Sequence, residues 1–298
     1  MGKPPAPAGR AAPRRIDRAV ARYPRAVDTP IIDAWIQHPT PDFLGRPMFA
    51  SLLRWMGITE LPEAIPPEFT LMALDGAGVQ RALVSAWWGP EGPLLSNDHV
   101  AELVHAHPDR FVGIASVDLK RPMDAVRELR RRVTEDGFRG LRLLPWLWEL
   151  PPDDRRYYPL YAACVELGVP FCLQVGHTGP LMPSEFGRPI PHLERVALDF
   201  PELTIVAGHI GAPWTAEMVF LARKFANVYI DTSAYRPSRY PAELVEFLRG
   251  RGRKKVLFGS NWPMLPPSTC LGDLPALGLD DEATRLFLHD NAARVFGL

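Results

Sequence analysis

The sequence predicts an α/β fold, and within that class a (β/α)8 TIM barrel. Short apolar runs rich in β-branched residues alternate with amphipathic segments whose apolar residues recur three and four positions apart. Eight such runs follow Pro30 within roughly 250 residues, and eight parallel strands joined by helical crossovers close into a barrel. A doubly wound sheet is the next alternative, but no glycine-rich phosphate loop follows the first run.

The elements follow one another regularly along the chain. The predicted strands cover residues 31–36, 81–86, 111–117, 138–144, 171–175, 203–207, 228–231 and 255–259. The predicted helices cover residues 97–107, 123–134, 158–167, 192–200, 213–225 and 242–249. Several of these helices begin with Asp, Ser or Pro near the first turn, which is typical of helix N-termini.

Length and charge restrict the class of ligand. The chain has 298 residues, with 34 Lys plus Arg against 34 Asp plus Glu, so no excess charge favours a nucleic acid, a membrane surface or a polyanion. We expect a small-molecule substrate. Residues 1–29 are rich in Pro, Ala and Arg and predict a disordered or extended N-terminal arm, with the barrel over residues 30–298.

The cysteines and the hydropathy of the sequence indicate where in the cell the protein is located. Cys164, Cys172 and Cys270 are odd in number and widely spaced, without a disulfide or zinc-knuckle pattern. Residues 1–28 lack the continuous apolar run that a secretory signal needs, and no later run approaches the ~20 apolar residues of a membrane span. These features predict a cytoplasmic protein.

Polar residues stand where most of the predicted strands end, which is where a TIM barrel carries its active site. His177 and His209 follow adjacent strands, and each comes directly after a glycine or a Gly-containing turn. The other candidates at strand ends are Gln37, His38, Arg142, Asp231, Thr232, Ser233, Ser260 and Asn261. The histidines in helical segments are interpreted as structural.

Several motifs carry a family resemblance. IIDAWIQHP, GLRLLP, LQVGHTG, VAGHIG, VYIDTSAY and LFGSNWP, closed by the C-terminal NAARVFGL, occur in an order that resembles the amidohydrolase-related family. That family includes decarboxylases of the 2-amino-3-carboxymuconate-6-semialdehyde type, other aromatic acid decarboxylases, and lactone or β-ketoacyl hydrolases. The resemblance covers nearly everything after Pro30, and it implies an amidohydrolase-type barrel and a homodimer.

The resemblance also implies a metal site, from which this sequence departs. The family pattern places His-x-His on strand one, single histidines after strands five and six, and an Asp at the end of strand eight. In this sequence the first pair falls on Trp35 and Gln37, the next two positions on His177 and His209, and the acid on Asn261. Since Trp cannot ligate a metal and neutral amides are poor zinc ligands, we expect no metal and no other cofactor.

Without a metal, the strand-end side chains have to supply the chemistry. His177 and His209 have side chains whose ordinary pKa lies near neutrality, so we assign them acid and base roles. Gln37 and Asn261 can orient a histidine or a water, and they complete the predicted catalytic set.

Four further residues are predicted to bind the substrate: Trp35, His38, Trp87 and Arg142. The fork of Arg142 suits a carboxylate or carbonyl oxygen, although an ion pair with Asp118 or Asp231 is an alternative. Trp35 either fills the volume that a metal and its histidine would take or forms an apolar wall for the substrate. Strand alternation places His38 on the face opposite Gln37.

Three insertions with many aromatic residues follow strands one, two and four, over residues 38–57, 87–95 and 145–150. Long insertions at this end of a barrel are usually lids or oligomer contacts. They favour an aromatic or acyl ligand carrying a carbonyl or carboxylate.

Three functions are consistent with this sequence. The first is a metal-independent hydrolase that cleaves a C–C or C–O bond of a small carbonyl compound, such as a β-ketoacyl thioester or lactone, by histidine acid/base catalysis. The second is a decarboxylase-type carbon–carbon lyase. The third is a barrel without catalysis that binds a small molecule or a partner.

Overall fold

The computed structural model describes residues 29–298. The predicted N-terminal arm, up to residue 28, lies outside the described residues. The division of the chain at residues 29 and 30 stays a prediction.

Ten strands lie within the described residues. They are β1 (Ile32–Ile36), β2 (Arg81–Ser85), β3 (Trp87–Gly89), β4 (Gly92–Leu95), β5 (Phe111–Ile114), β6 (Leu141–Leu143), β7 (Phe171–Gln174), β8 (Ile205–Gly208), β9 (Val228–Asp231) and β10 (Val256–Leu257). Eight of them fall within or closely overlap the predicted runs. The other two, β3 and β4, form an antiparallel hairpin in the insertion after β2.

The eight parallel strands close into a barrel. Hydrogen bonding runs in the orders β1–β2–β5 and β6–β7–β8–β9–β10. One seam is closed where the Ala115 N–H donates to the Gly140 carbonyl at 2.9 Å. The other is closed where the Ala34 N–H donates to the Phe258 carbonyl at 2.9 Å, followed by a parallel bridge between Ile36 and Trp262. The predicted TIM barrel is confirmed.

Helices surround the barrel and also cross its mouth. They are α1 (Pro41–Leu44), α2 (Ala50–Met56), α3 (Pro67–Ala77), α4 (Asn97–Ala106), α5 (Pro122–Thr134), α6 (Pro145–Trp148), α7 (Tyr158–Leu167), α8 (Glu194–Asp199), α9 (Thr215–Lys224), α10 (Ala242–Arg249), α11 (Pro267–Gly272), α12 (Asp281–Arg285) and α13 (Asn291–Phe296). Local sequence accounts for several ends: the Ser96 hydroxyl caps α4 by accepting from the His99 N–H, and Gly78 and Gly168 end α3 and α7 in the left-handed region.

Apolar residues form separate layers inside and outside the barrel. The largest cluster lies between the strands and the surrounding helices. A smaller cluster fills the barrel interior and is closed at the bottom by Ala292 and Phe296 of α13. Alternate residues of each parallel strand supply these two layers, so the barrel is a packed core and its free face is the mouth.

A third cluster covers the C-terminal mouth. It includes Phe43 and Phe49 from the insertion after β1, Trp87 from the hairpin, and Trp146 and Leu147 from α6. The three insertions noted in the sequence therefore pack together over one end of the barrel. They make one side of the mouth aromatic.

None of the helices within residues 29–298 is long and apolar enough to cross a membrane. The cytoplasmic location and the homodimer stay predictions.

Candidate active site

A cavity of about 270 Å³ opens at the C-terminal mouth of the barrel. Its polar lining is made of neutral amides and imidazoles, and its walls are largely aromatic. The polar side chains are Gln37, Gln174, His177, His209 and Asn261, and the aromatic ones are Trp55, Trp87, Trp146 and Tyr235. No Asp, Glu, Lys or Arg of residues 29–298 lines it. A cavity of this volume and composition suits a small aromatic ligand.

A larger open cleft, about 660 Å³, lies beside the β3–β4 hairpin and α5. Two of its arginines, Arg131 and Arg132, are already paired with acidic side chains. Arg132, for example, contacts Asp98, Glu128 at 2.7 Å and Asp136 at 2.8 Å. The cleft lacks the strand-end chemistry, so the mouth cavity is the better candidate.

Two glutamines at the mouth are oriented by indole N–H groups. The Trp35 Nε1–H donates to Gln37 Oε1 at 3.1 Å, and the Trp146 Nε1–H donates to Gln174 Oε1 at 2.8 Å. An indole nitrogen is only a donor, so each amide oxygen is fixed and each amide nitrogen must find an acceptor elsewhere. Gln174 Nε2 donates to the His177 carbonyl at 3.0 Å, which ties β7 to the turn that carries His177.

His209 is buried directly after β8. Its Nδ1 lies 2.8 Å from the Ser233 hydroxyl. Burial, and then the positive charges of Arg142 and His177, lower the pKa of His209 to about 3. The imidazole is therefore neutral at pH 7, and it lines the cavity as a neutral hydrogen-bonding group.

His177 lies on the turn after β7 and differs from His209 in its exposure to solvent. Its side chain is exposed and lines the cavity, while its backbone N–H donates to the Ala212 carbonyl at 2.6 Å. The main chain is thus fixed and the imidazole remains available to a ligand. The two predicted catalytic histidines do meet at one cavity, as do Gln37 and Asn261.

Left-handed backbone conformations cluster at this mouth. Non-glycine residues with positive φ follow three neighbouring strands: His209 (68°) and Ile210 (54°) after β8, Ala234 (69°) after β9 and Asn261 (70°) after β10. Such conformations cost free energy in ordinary residues, and they concentrate where a site requires a particular side-chain direction. This strain is an independent indication that the mouth is functional.

Arg142 points into the barrel, as predicted, but it does not reach the cavity. It is 1% exposed, and its guanidinium donates to the Ser85 hydroxyl and, at 3.2 Å, to the Ala34 carbonyl. Its Nη2 lies 3.8 Å from Asp231 Oδ2. Arg142 therefore does not line the cavity, and this geometry does not support its predicted contact with substrate. The alternative, an ion pair with Asp231, describes its position.

Trp35 separates Arg142 from the cavity. The guanidinium carbon of Arg142 lies 3.8 Å from the centroid of the Trp35 ring, and the His209 ring lies 4.6 Å from that ring. At 1% exposure Trp35 does not line the cavity. It fills volume beneath the site, so its predicted direct contact with substrate is not supported.

His38 lies away from the cavity. Its Nδ1 is 2.8 Å from the Thr70 hydroxyl and its Nε2 is 3.0 Å from the Ile65 carbonyl. Because successive side chains alternate along a strand, the residue after Gln37 faces the outer helices. This position does not support the predicted contact of His38 with substrate. Trp87 does line the cavity, as predicted.

Sequence reasoning missed several residues of the mouth. Gln174, Trp146 and Tyr235 line the cavity, although none of them is in the predicted catalytic or substrate-binding set. Ser233, a strand-end candidate without an assigned role, contacts His209. Gln174 had a recognisable signal, because it is a polar residue within an apolar strand in LQVGH. Trp146 had a weaker signal, because it lies in the aromatic insertion over residues 145–150. Tyr235 had none, since it reaches the cavity through the packing of a loop.

The family model for Amidohydrolase matches residues 56–298. The chain belongs to the amidohydrolase family. It is 28% identical over 259 residues to a gamma-resorcylate decarboxylase of Rhodococcus jostii (strain RHA1), an alignment that covers 68% of this chain and 75% of the relative. The family predicted from the motifs is confirmed.

Solved structures agree on the fold. An uncharacterized TIM-barrel protein from Bordetella bronchiseptica superimposes with a TM-score of 0.77 at 27% identity, covering 90% of this chain and 98% of that one. A 5-carboxyvanillate decarboxylase from Novosphingobium aromaticivorans, complexed with manganese and a nitrobenzoic acid, gives 0.70 at 16% identity, with 94% and 99% covered. The gamma-resorcylate decarboxylase relatives favour the decarboxylase alternative over the hydrolase predicted first.

The manganese in that decarboxylase differs from the metal-free chemistry predicted above, so the fit of a metal depends on the residues present in this chain. No group of three His, Cys, Asp or Glu within residues 29–298 is arranged to hold a metal ion. Three of the family's ligand positions hold other residues here. Gln37 and Asn261 hydrogen-bond to each other, and the Trp35 ring lies against the Arg142 guanidinium. The donor set does not fit a divalent metal.

Proposed function

We propose that this amidohydrolase-family chain is a carbon–carbon lyase that decarboxylates a small aromatic carboxylic acid. The observation that carries the proposal is the mouth cavity, whose lining combines four aromatic side chains with two histidines and includes no Asp, Glu, Lys or Arg of residues 29–298. The gamma-resorcylate decarboxylase relative supports the same reaction class.

The walls and the polar side of the cavity suggest how such an acid binds. Trp87 and Trp146, whose ring centroids are 5.9 Å apart in an edge-to-face arrangement, offer apolar surface to an aromatic ring. The same lining includes hydrogen-bonding side chains, among them Asn261 and the two histidines. A bound carboxylate would therefore meet these side chains, since no Lys or Arg of residues 29–298 lines the cavity.

Decarboxylation requires a proton at the ring carbon that carries the carboxylate. The proton adds to that carbon, the carbon–carboxylate bond breaks, its electron pair returns to the ring, and CO₂ leaves. His177 is the exposed imidazole at the cavity, so we assign it the role of the acid that delivers this proton and recovers one from water.

His209 is suited to a different role in the reaction. Held by Ser233 and neutral at pH 7, it orients a ring substituent or a water molecule by hydrogen bonding. No step of this scheme passes through a metal ion.

A second candidate is a barrel that binds a small molecule without catalysis. The observation that favours it is the replacement of family ligand positions by Trp35, Gln37 and Asn261, since a chain that has lost ligands can also lose the reaction. The reaction assay separates the two candidates.

The test is release of CO₂ from gamma-resorcylate and 5-carboxyvanillate, each labelled with ¹³C at the carboxyl group. We expect labelled CO₂ from at least one acid or a close analogue, and its loss in a His177→Ala variant. Binding of both acids without any release of CO₂ would instead support the non-catalytic barrel.

A further inference from the structure

A chain of hydrogen bonds at the mouth begins at Trp35. Its Nε1–H, which can only donate, donates to Gln37 Oε1 at 3.1 Å. Trp35 and Gln37 are both buried, so water does not compete for these groups. The orientation of the Gln37 amide is fixed by the indole.

The next link follows from that orientation. With its oxygen occupied, Gln37 presents Nε2, which donates to the Trp262 carbonyl at 2.6 Å and to Asn261 Oδ1 at 3.1 Å. The Trp262 carbonyl can only accept, so it confirms that the nitrogen of Gln37 is on this side. Asn261 must therefore meet Gln37 with its oxygen.

Asn261 is the end of the chain and the part that lines the cavity. Its Oδ1 is taken by Gln37, whereas its Nδ2 has no hydrogen-bond acceptor among residues 29–298 and is not enclosed by protein. Its backbone is held as well: φ is 70°, and its N–H donates to the Trp35 carbonyl at 2.8 Å. The two Nδ2 hydrogens are thus left for a ligand.

We infer that Asn261 binds an oxygen atom of an anionic or carbonyl ligand through its amide N–H groups, at the position where the family pattern places a metal-binding carboxylate. In the family pattern the residue at this position gives electron pairs to a metal ion. Asn261 instead donates hydrogen bonds to an oxygen atom. The inference deepens the proposed function, from which it takes the choice of a carboxylate as ligand.

The residues around Asn261 also favour its amide as a hydrogen-bond donor to the ligand. To present its oxygen to a metal, Asn261 would have to rotate, and Gln37 would then have to rotate too, leaving the Trp35 N–H without an acceptor in a buried place.

The experiment measures equilibrium binding by calorimetry, so it does not depend on turnover. The probes are gamma-resorcylate as the carboxylate and resorcinol as its neutral counterpart. The variants are Asn261→Asp, which keeps the shape but replaces donors by acceptors, and Asn261→Gly, which accepts the left-handed backbone and removes the amide. Gln80→Glu, an exposed residue before β2, adds the same charge at the other end of the barrel.

We expect the carboxylate to bind about 10- to 100-fold more weakly to both Asn261 variants, the range of a charge-assisted hydrogen bond, with resorcinol changed much less. Gln80→Glu should bind both probes as the parent does. Unchanged carboxylate binding in Asn261→Gly would overturn the inference, and so would stoichiometric manganese in the parent after growth with added manganese. If CO₂ is never released but this pattern of binding is found, the proposed function fails and the inference stands.

Discussion

The guanidinium of Arg142 lies against the face of the Trp35 ring, with 3.8 Å between its central carbon and the ring centroid. Both side chains are fully buried, and His209 packs on the ring 4.6 Å away. The Arg142 guanidinium therefore supports the Trp35 ring, which lies beneath the cavity. In this arrangement Arg142 acts on the site through Trp35, and its contribution should be measured first as stability.

Arg142→Lys should destabilise the folded protein. A lysine keeps the charge but loses the planar fork that reaches the Ser85 hydroxyl and the Ala34 carbonyl, and it stacks less well on Trp35. Disruption of a buried charge network of this kind costs on the order of 3 kcal/mol, to be read from chemical denaturation. Arg188→Lys, at an exposed pair with Glu217, is the control and should change stability little. Equal stability of parent and Arg142→Lys would contradict this role.

Gly208→Ala tests how tightly the Trp35 ring is confined. A Cβ at residue 208 would lie 2.4 Å from Cζ3 of Trp35, so the ring would have to move. Overpacking of this kind costs roughly 1–3 kcal/mol, which a shift in melting temperature would report. Gly45→Ala is the control, because its Cβ would come no closer than 3.1 Å to any atom. Parallel melting curves for the two variants would show that the ring is not tightly confined.

His177→Ala should lower turnover by about 10²- to 10⁴-fold while the protein stays folded, as expected for the loss of a general acid. His209→Ala should also lower turnover, and because His209 is buried it should lower the melting temperature too. His105→Ala, on the exposed face of α4, is the control for both. Normal turnover in both cavity variants would place the chemistry elsewhere.

Stability should depend on pH through Asp33. Burial raises the pKa of this carboxyl to about 7, against hydrogen bonds from Ser260 and Trp35 that lower it. Between about pH 4 and pH 7 the folded state therefore holds a proton that the unfolded state releases, so this group makes folding less favourable as pH rises.

Asp33→Asn removes that titration and keeps an acceptor for the Trp35 and Ser260 N–H groups. We expect the variant to gain stability relative to the parent as pH increases from 4 to 7, by an amount of a few kcal/mol. The measurement is the difference in the free energy of unfolding between the two proteins at each pH. A constant difference would mean that Asp33 is ionised in the folded state throughout this range.

The barrel was predictable because its signals are local. Hydrophobic periodicity located the eight barrel strands, and polar residues at their ends located His177, His209, Gln37 and Asn261 on one cavity. The bounds were less accurate: the run predicted over 138–144 contains only the three-residue strand β6. Three of the four extra residues, 138–140, precede β6; Phe138 is buried there and extends the apolar run although it lies outside the strand.

What the sequence by itself determined is the fold, the family and the end of the barrel that carries the site, because each depends on patterns repeated along the chain. Only the tertiary structure decided which polar side chains reach the cavity. Arg142 and Gln37 both point into the barrel, yet the Trp35 ring covers Arg142 and leaves Gln37 at the mouth. The orientation of the Asn261 amide depends on its hydrogen bond with Gln37, which lies 224 residues away in the chain. Which atom of an amide donates and which accepts is set by the neighbours it contacts in space. Spacing along the chain therefore predicts neither the burial of Arg142 nor the orientation of Asn261.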